Sequence, residues 1–225
     1  MRLFTQTIII WIILVPYAST FAQQLSVGKT TDFTVNGKGD AAEWKKTEWI
    51  PLSHRGGNKN YESQVKLLYS DSGIYCLFHN KDSKITSTMT ADYSDLWKED
   101  VVEIFLWTDE KYPIYFEYEL SPGNYELPII VPNLDGKFLG WRPWKYDGTR
   151  RIKHATDVRS DAWIAEFYIP FKVLAPLTNV PPKKGTTWRA NMYRLDHDDG
   201  ISRWSWQPVR TNFHDYQRFG TIKFD

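Results

Sequence analysis

A tryptophan and a glutamate six residues apart are the first residues in the sequence that suggest chemistry. The stretch LWKEDVVEIFLW, residues 96–107, alternates as a β-strand does, so Glu103 shares a face with Val101 and Phe105. A sugar ring stacks its C–H face on an aromatic plane and donates hydroxyl hydrogens to a carboxylate, and Trp97 with Glu103 supplies both partners. Composition alone favours the alternative, in which Trp97 packs a strand end and Glu103 pairs with a basic side chain.

A second group of planar and hydrogen-bonding side chains lies in WSWQPVRTNFHDYQRFG, residues 204–220. Rings next to amide and imidazole groups suit the recognition of a polyol, in which each correct hydrogen bond adds roughly 0.5 to 1.5 kcal/mol. In the alternative, one tryptophan of the pair belongs to the core and the histidine caps a turn. The candidate binding residues of this run are Trp206, Asn212, Phe213 and His214.

Two further glutamates raise the question of catalysis. In IYFEYEL, residues 114–120, Glu117 and Glu119 share one strand face at a separation of about 6.5 to 7 Å, within the spacing of inverting glycosidases. A glycoside hydrolase that uses Glu103, Glu117 or Glu119 is therefore the alternative function. A polar strand face is usually solvated, and no neighbouring sequence indicates an apolar pocket that would raise one pKa.

Metal and haem sites have weaker signals. The loop LDHDDGIS, residues 195–202, offers oxygen ligands for calcium but lacks the alternation of an EF-hand, so a solvated turn is the preferred interpretation. Scattered histidines and a single cysteine, Cys76, do not support zinc. A haem-binding sandwich would need axial ligands, and Met89 and Met192 have no recognisable partner.

The N-terminal segment predicts the compartment. Arg2 is followed by the apolar run IIIWIILV and by Thr20-Phe21-Ala22, which predicts a secretory signal peptide over residues 1–22, cleaved after Ala22. The 203 residues that remain, 23–225, carry 27 basic and 27 acidic side chains, a balance that does not favour nucleic acid or an acidic membrane surface. We expect one secreted or periplasmic domain with no membrane span.

Short alternating segments must position these side chains. They are separated by turns such as Ser70-Asp71-Ser72-Gly73 and Arg159-Ser160-Asp161, and almost nothing indicates a helix. This pattern predicts an all-β fold, an antiparallel β-sandwich of two sheets. Residues 121–150 are predicted as a loop-rich insertion, and its Trp141 and Trp144 are further candidates for a ligand site. The predicted strands are 32–35, 63–70, 73–80, 100–108, 114–120, 152–158, 162–169, 186–195 and 218–225.

Several motifs in order resemble carbohydrate-binding module family 9. They are FTVNGKGDAAEW, QVKLLYSDSGIYCLFHNKD, WKEDVVEIFL, SDAWIAEFYIPF, WRANMYRLD, WSWQP and FHDYQRFGTIKF, and they cover nearly all of residues 23–225. The resemblance implies a non-catalytic β-sandwich that binds a saccharide, usually at a chain end, between two facing aromatic rings. It also implies structural calcium ions, although the ligands are unknown and no cofactor is required.

Carried over by position, the resemblance makes Trp97 one ring of the clamp and Phe213 the other, with Glu103 and Asn212 beside them. The family's second ring is a tryptophan, so the smaller Phe213 puts affinity and sugar preference in question. The implied function is a secreted protein that holds an oligosaccharide or polysaccharide in support of polysaccharide degradation. No catalytic domain accompanies these motifs, so the alternatives are a protein that works alone and one that works with a separately encoded glycan-degrading enzyme.

Overall fold

A computed structural model describes residues 23–225, and the predicted signal peptide lies outside the described residues. The strands are β1 Gln24–Lys29, β2 Ile50–Pro51, β3 Ser53–Gly56, β4 Ser63–Tyr69, β5 Gly73–Lys81, β6 Val101–Trp107, β7 Ile114–Leu120, β8 Glu126–Leu134, β9 Lys137–Phe138, β10 Arg142–Pro143, β11 Lys153–Val158, β12 Ala162–Pro170, β13 Thr187–Asp196, β14 Ser202–Ser205 and β15 Gly220–Phe224. Short 3-10 helices lie at Ala42–Lys46, Leu96–Lys98, Gly148–Arg150, Phe171–Leu174 and Tyr216–Arg218.

The strands form two sheets that share β1, which confirms the predicted β-sandwich. Sheet A has the order β10-β8-β7-β6-β13-β15-β1, and sheet B has the order β1-β4-β5-β12-β11. Pairing is antiparallel except at β1, which runs parallel to β15 with its first residues and parallel to β4 with its last. Both predicted turns are confirmed, since they join β4 to β5 and β11 to β12.

The main core lies between the two sheets. Alternate residues of β6, among them Val102 and Ile104, meet Phe78 and Phe167 of sheet B there. The opposite face of β6 belongs to a second buried cluster, with Phe105 packed against Tyr115 and Phe219. This outer face of sheet A is covered by the segment 207–219, so both faces of β6 are buried, and the predicted division of its side chains is confirmed.

The opening motif FTVNGKGDAAEW folds around one carboxylate. Glu166, fully buried on β12, accepts hydrogen bonds from the backbone N–H of Asn36 at 2.9 Å and of Gly37 at 2.8 Å, and from Trp44 Nε1 at 2.7 Å. Gly37 has a φ of +83°, and a Cβ there would lie 2.9 Å from the backbone nitrogen of Thr156. The motif therefore fixes this segment to the outer face of sheet B.

The prediction of a loop-rich insertion over 121–150 is wrong for its first half. Residues 126–134 form the nine-residue strand β8, which pairs with β7 along its whole length. Pro128 and Pro132 interrupt its sequence pattern, but β8 lies near the edge of sheet A, where only the two-residue strands β9 and β10 flank its other side. The remainder, 139–152, contains little regular structure.

Candidate functional site

Glu103, Glu117 and Glu119 lie close together on the outer face of sheet A, in a group referred to below as the glutamate row. Glu103 on β6 lies directly opposite Glu119 on β7, and on its other side it faces Tyr193 on β13. Glu117 lies two residues from Glu119 on the same face. Glu103, Glu117 and Glu119 are 2%, 3% and 1% exposed, so the alternative of a solvated strand face is wrong. Burial is the only influence on the pKa of Glu103, so the alternative of a Glu103 ion pair finds no cationic partner among the described residues.

Burial controls the protonation of these glutamates. It raises the pKa of Glu103 from 4.5 to about 8, and it raises the pKa values of Glu117 and Glu119 well above the usual range. The nearby charge of Glu103 adds to the rise at both neighbours. Oε2 of Glu117 and Oε2 of Glu119 have no hydrogen-bond partner among the described residues. The face therefore presents carboxylic acids at neutral pH, which both donate and accept hydrogen bonds.

Trp97 lies at the β7 side of this row. On the 3-10 helix Leu96–Lys98, Trp97 is 42% exposed, which makes it the most exposed tryptophan among the described residues. Its backbone interacts with the Glu119 carboxyl group, where it opposes the rise in pKa. Leu96 anchors the helix in the outer cluster, while Lys98 places its ammonium 5.0 Å from the indole centroid.

Phe213 lies at the opposite, β13 side. Its ring stacks on Tyr193 with centroids 4.0 Å apart and planes at 17°, and the Tyr193 hydroxyl donates to the Phe213 carbonyl at 2.9 Å. Because Glu119, Glu103 and Tyr193 occupy three adjacent strands, the supports of Trp97 and Phe213 are two strand spacings, roughly 10 Å, apart. The two predicted rings thus flank the glutamate row.

Asn212 and His214 complete this end of the face. Asn212 is exposed, and its side-chain oxygen accepts from the backbone N–H of His214 at 2.9 Å. His214 Nδ1 forms a hydrogen bond of 2.7 Å with the Tyr115 hydroxyl and lies 3.7 Å from Glu117 Oε2. Burial lowers the pKa of His214 to about 4, so a neutral imidazole faces a neutral carboxyl group at pH 7.

The other predicted aromatic residues divide between the faces. Trp141 packs against the outer cluster of sheet A, and its role in a ligand site stays a prediction. Trp144 instead packs against the main core and donates from Nε1 to the Val173 carbonyl at 2.7 Å. Trp206 is buried in the main core together with Trp204, so neither ring of that pair is available to a ligand. Trp144 and Trp206 are therefore wrong as site residues.

The sequence did not indicate that two further residues, Tyr193 and Phe138, belong to this face. Tyr193, the support of Phe213, lies in WRANMYRLD, where one more aromatic in a strand looks like any core residue. Phe138 stacks on His214 with centroids 4.2 Å apart and planes at 22°, and it lies in the segment predicted as loop. Only the pairing of β8 with β9 brings it to the face.

A buried acidic cluster lies at the end of β13. Arg194 Nη2 donates to Asp82 Oδ2 at 2.9 Å and to Asp196 Oδ2 at 2.6 Å, and its guanidinium lies 4.8 Å from the Trp204 ring. Burial raises the pKa values of Asp82 and Asp196. The prediction of a solvated turn is wrong here, since Asp196 and Asp198 are almost fully buried.

Asp198 makes this cluster a candidate metal centre. Neither of its carboxylate oxygens has a hydrogen-bond partner among the described residues, and only Lys84 approaches, with Nζ 4.0 Å away. One oxygen each from Asp82, Asp196 and Asp198 lie within 4.8 Å of one another. Three oxygen donors with an uncompensated buried charge suit a hard cation such as Ca²⁺.

The described residues do not form the haem site that the sequence left as an alternative. Met89 lies in the outer cluster of sheet A and Met192 in the main core, so the two methionines are on opposite faces and do not form a haem pair. Cys76 is buried, and burial raises the pKa of its thiol. No helix in the described part of the chain has the length and apolar character needed to span a membrane.

Comparisons with known proteins agree with this architecture. The family described as carbohydrate family 9 binding domain-like matches residues 35–225. A structure of a candidate carbohydrate-binding protein from Bacteroides uniformis superposes with a TM-score of 0.75 at 17% identity, covering 91% of this chain and all of the other. A family 9 carbohydrate-binding module from Caldicellulosiruptor kristjanssonii, in complex with cellotriose, has a TM-score of 0.69 at 18% identity, with 90% and 94% of the two chains covered.

A further structure shows a family 9 carbohydrate-binding module from Caldicellulosiruptor kristjanssonii in complex with glucose. That structure has a TM-score of 0.68 at 17% identity, with 90% of this chain and 96% of the other covered. At these low identities, it is the TM-scores that show the shared fold. A search of curated proteins found no match.

Proposed function

Because the chain belongs to the carbohydrate family 9 binding domain-like family, we propose that the outer face of its sheet A holds a saccharide between Trp97 and Phe213. The observation that carries this proposal is the exposed Trp97 ring at one side of a row of buried carboxyl groups, with Phe213 held on Tyr193 at the other. An aromatic plane takes the C–H face of the sugar. The exposed side chain of Asn212 takes its hydroxyls, with the Glu103 carboxyl group next to it.

The proposed site is small, and it lies on the outer face of sheet A next to the two segments that carry Trp97 and Phe213. Such a site suits the end of a glycan chain, since a terminal residue leaves one side free of further sugars. We expect moderate affinity, with Kd on the order of 10⁻³ to 10⁻⁵ M, because few side chains are buried by one sugar residue. The similar structures hold cellotriose and glucose, so these are the first ligands to test.

Substitution of Trp97 tests the clamp. Titration calorimetry of the purified domain should show that Trp97→Ala weakens binding of cellotriose, or of whichever glycan an array identifies, by about tenfold or more. Trp49→Ala is the matched control, since Trp49 packs on the outer face of sheet B. Full affinity in a folded Trp97→Ala variant would show that the saccharide binds elsewhere.

The proposed role is binding without catalysis. A glycosidase needs one carboxyl group that is protonated and one that is ionised, with environments that push the two pKa values apart. Burial raises the pKa in all three glutamates, and each exposes 3% or less of its surface. Release of reducing sugar by the pure protein, abolished by Glu117→Gln, would instead establish the glycoside hydrolase alternative.

Structural calcium at Asp82, Asp196 and Asp198 is the second part of the proposal. The unpartnered oxygens of Asp198 supply the reason, and a bound cation would offset the charge that Arg194 leaves uncompensated. EDTA should lower the unfolding temperature, and added Ca²⁺ should restore it. Asp198→Asn should abolish this calcium response. An unfolding temperature insensitive to both would remove the calcium assignment.

Location and partnership complete the proposed role. The predicted signal peptide over residues 1–22 would deliver the domain to the periplasm or the medium, where glycans are degraded. There the domain would hold a polysaccharide in support of a separately encoded glycan-degrading enzyme. Fractionation of producing cells, with N-terminal sequencing of the released protein, tests the cleavage after Ala22.

A further inference from the structure

A groove on the outer face of sheet B lies on the opposite side of the sandwich from the proposed saccharide site. Two depressions, with volumes of about 570 and 610 Å³, adjoin there. Arg151, Lys153 and Tyr168 line both of them. The groove therefore combines an aromatic ring with two cationic side chains at its centre.

The strand register places these side chains on one face. Lys153 of β11 lies directly opposite Tyr168 of β12, and Tyr168 lies directly opposite Tyr75 of β5. Tyr75 and Tyr168 pack in the cluster on the outer face of sheet B, so Lys153 projects from that face as well. Ile152 belongs to the main core, and the extended backbone at Arg151 turns the Arg151 side chain to the same side as Lys153. The edge strand of sheet B thus presents two exposed cations beside the Tyr168 ring.

The Tyr168 ring is held in a fixed position. Its hydroxyl forms a hydrogen bond of 2.7 Å with Ser72 Oγ, which donates in turn to Asp32 Oδ1 at 2.7 Å. The ring packs against Tyr75, with centroids 4.6 Å apart and planes at 37°, and a Cβ on Gly73 would lie 2.5 Å from Tyr168 Cε2. A ring immobilised before binding loses little conformational entropy when a ligand contacts it.

The cations of the groove have no counter-charge of their own. Arg151, Lys153 and Lys172 are exposed, and none of them forms an ion pair within the part of the chain that the structure describes. Asp71 also lines the first depression, but its carboxylate is already paired with Lys29 Nζ at 2.6 Å. An anionic group that enters this depression would therefore meet three cations and no carboxylate without a partner.

We propose that this groove binds an acidic saccharide, with the sugar carboxylate held by Arg151, Lys153 and Lys172 and the sugar ring against Tyr168. Asp32 lines the second depression and offers an acceptor to the sugar hydroxyls. The groove is on the other sheet from the Trp97 site. The inference thus goes beyond the proposed function and does not depend on it.

A sugar that carries a carboxylate fits the groove better than other anions do. An inorganic anion would use the cations alone and leave Tyr168 and the apolar lining, such as Pro170, without contacts. An anion without hydroxyl groups would have no donor for Asp32, whose pKa is lowered by hydrogen bonds from the hydroxyls of Ser70 and Ser72. A uronic acid residue has a carboxylate, C–H groups and hydroxyl donors, which together match all of these groups.

Titration calorimetry with trigalacturonate, and with the corresponding trimers of glucuronate and mannuronate, tests this site. In a variant that combines Arg151→Gln and Lys153→Gln, the Kd of the uronate that binds wild type should rise by about tenfold or more. The matched control combines Lys137→Gln and Arg142→Gln, which removes two exposed cations from β9 and β10 of sheet A and should change that Kd less than about twofold. Raising the salt concentration from about 0.05 to 0.3 M should weaken binding to wild type several-fold.

The outcomes separate this inference from the proposed function. Uronate binding that is retained in Trp97→Ala and lost in the Arg151 and Lys153 variant supports a separate site, whether or not wild type binds cellotriose. Unchanged affinity in that variant, an equal loss in the control, or loss in Trp97→Ala overturns the inference. Failure of wild type to bind any of the three uronates also overturns it, as does inorganic sulfate that binds as tightly as the uronate. Circular dichroism and an unchanged unfolding midpoint establish that each variant is folded.

Discussion

Removal of a buried carboxyl group should make this protein more stable at alkaline pH. Glu103 is 2% exposed, and burial raises its pKa from 4.5 to about 8. The folded protein thus binds this proton more tightly than the unfolded chain does. Unfolding releases the proton between pH 4.5 and 8, so the contribution to stability is complete below pH 4.5 and is lost as pH rises to 8.

The size of the effect follows from the titration interval. One proton released on unfolding lowers the free energy of unfolding by about 1.4 kcal/mol for each pH unit, so Glu103 accounts for up to roughly 5 kcal/mol between pH 4.5 and 8. Gln has the shape of the protonated glutamate and does not titrate. Glu103→Gln should therefore match wild type within about 1 kcal/mol at pH 5 and exceed it by several kcal/mol at pH 8.

Urea unfolding at pH 5, 6, 7 and 8, followed by tryptophan fluorescence at fixed ionic strength, measures this difference. Glu48→Gln is the matched control, since Glu48 is exposed on the segment before β2 and its substitution removes one carboxylate outside the buried cluster. Because the charge of Glu103 also raises the pKa values of Glu117 and Glu119, the titration belongs to the three residues together. Glu117→Gln should thus give a difference of the same sign.

A Glu103→Gln variant that gains no stability relative to wild type between pH 5 and pH 8, or that loses stability relative to it, would refute this reasoning. Such a result would mean that Glu103 is ionised in the folded protein and that a cationic partner stabilises it.

Three further substitutions or probes test the packing. Glu166→Ala should lower the free energy of unfolding by about 3 kcal/mol in urea titration. The reason is that the groups that donate hydrogen bonds to Glu166, Trp44 Nε1 among them, would stay buried without an acceptor. Arg194→Leu should cost about 3 to 5 kcal/mol in the same assay, since it leaves carboxylates such as Asp82 buried and uncompensated; stability equal to wild type would show that they are protonated or bind a cation. Cys76 should react with a thiol reagent only as fast as the protein unfolds, and rapid labelling in native buffer would contradict its burial.

The period of two along strands was sufficient to assign faces. It placed Glu103 with Phe105 and opposite Ile104, and the structure confirms this division. It could not give the cross-strand register, which depends on how many residues the turns consume. The pairing of Glu103 with Glu119, and hence the mutual effect of these carboxyl groups on their pKa values, was visible only in the structure.

Other features were missed because short-range signals conflicted with long-range packing. Prolines 128 and 132 broke the pattern of β8, and without β8 the sequence had no means to place Phe138 beside His214. The carboxylates Asp196 and Asp198 looked solvated because acidic residues usually are. Asp196 is buried because the guanidinium of Arg194, two residues earlier on β13, pairs with it, whereas Asp198 is buried without such a partner.

The position of β1 also determines how the domain resists tension. β1 and β15 run parallel, with Gln24 opposite Thr221 and Val27 opposite Phe224. Opposed pulling forces at Gln24 and Phe224 would act along the strand axes, so the hydrogen bonds between them would be loaded together in shear and would not open one after another.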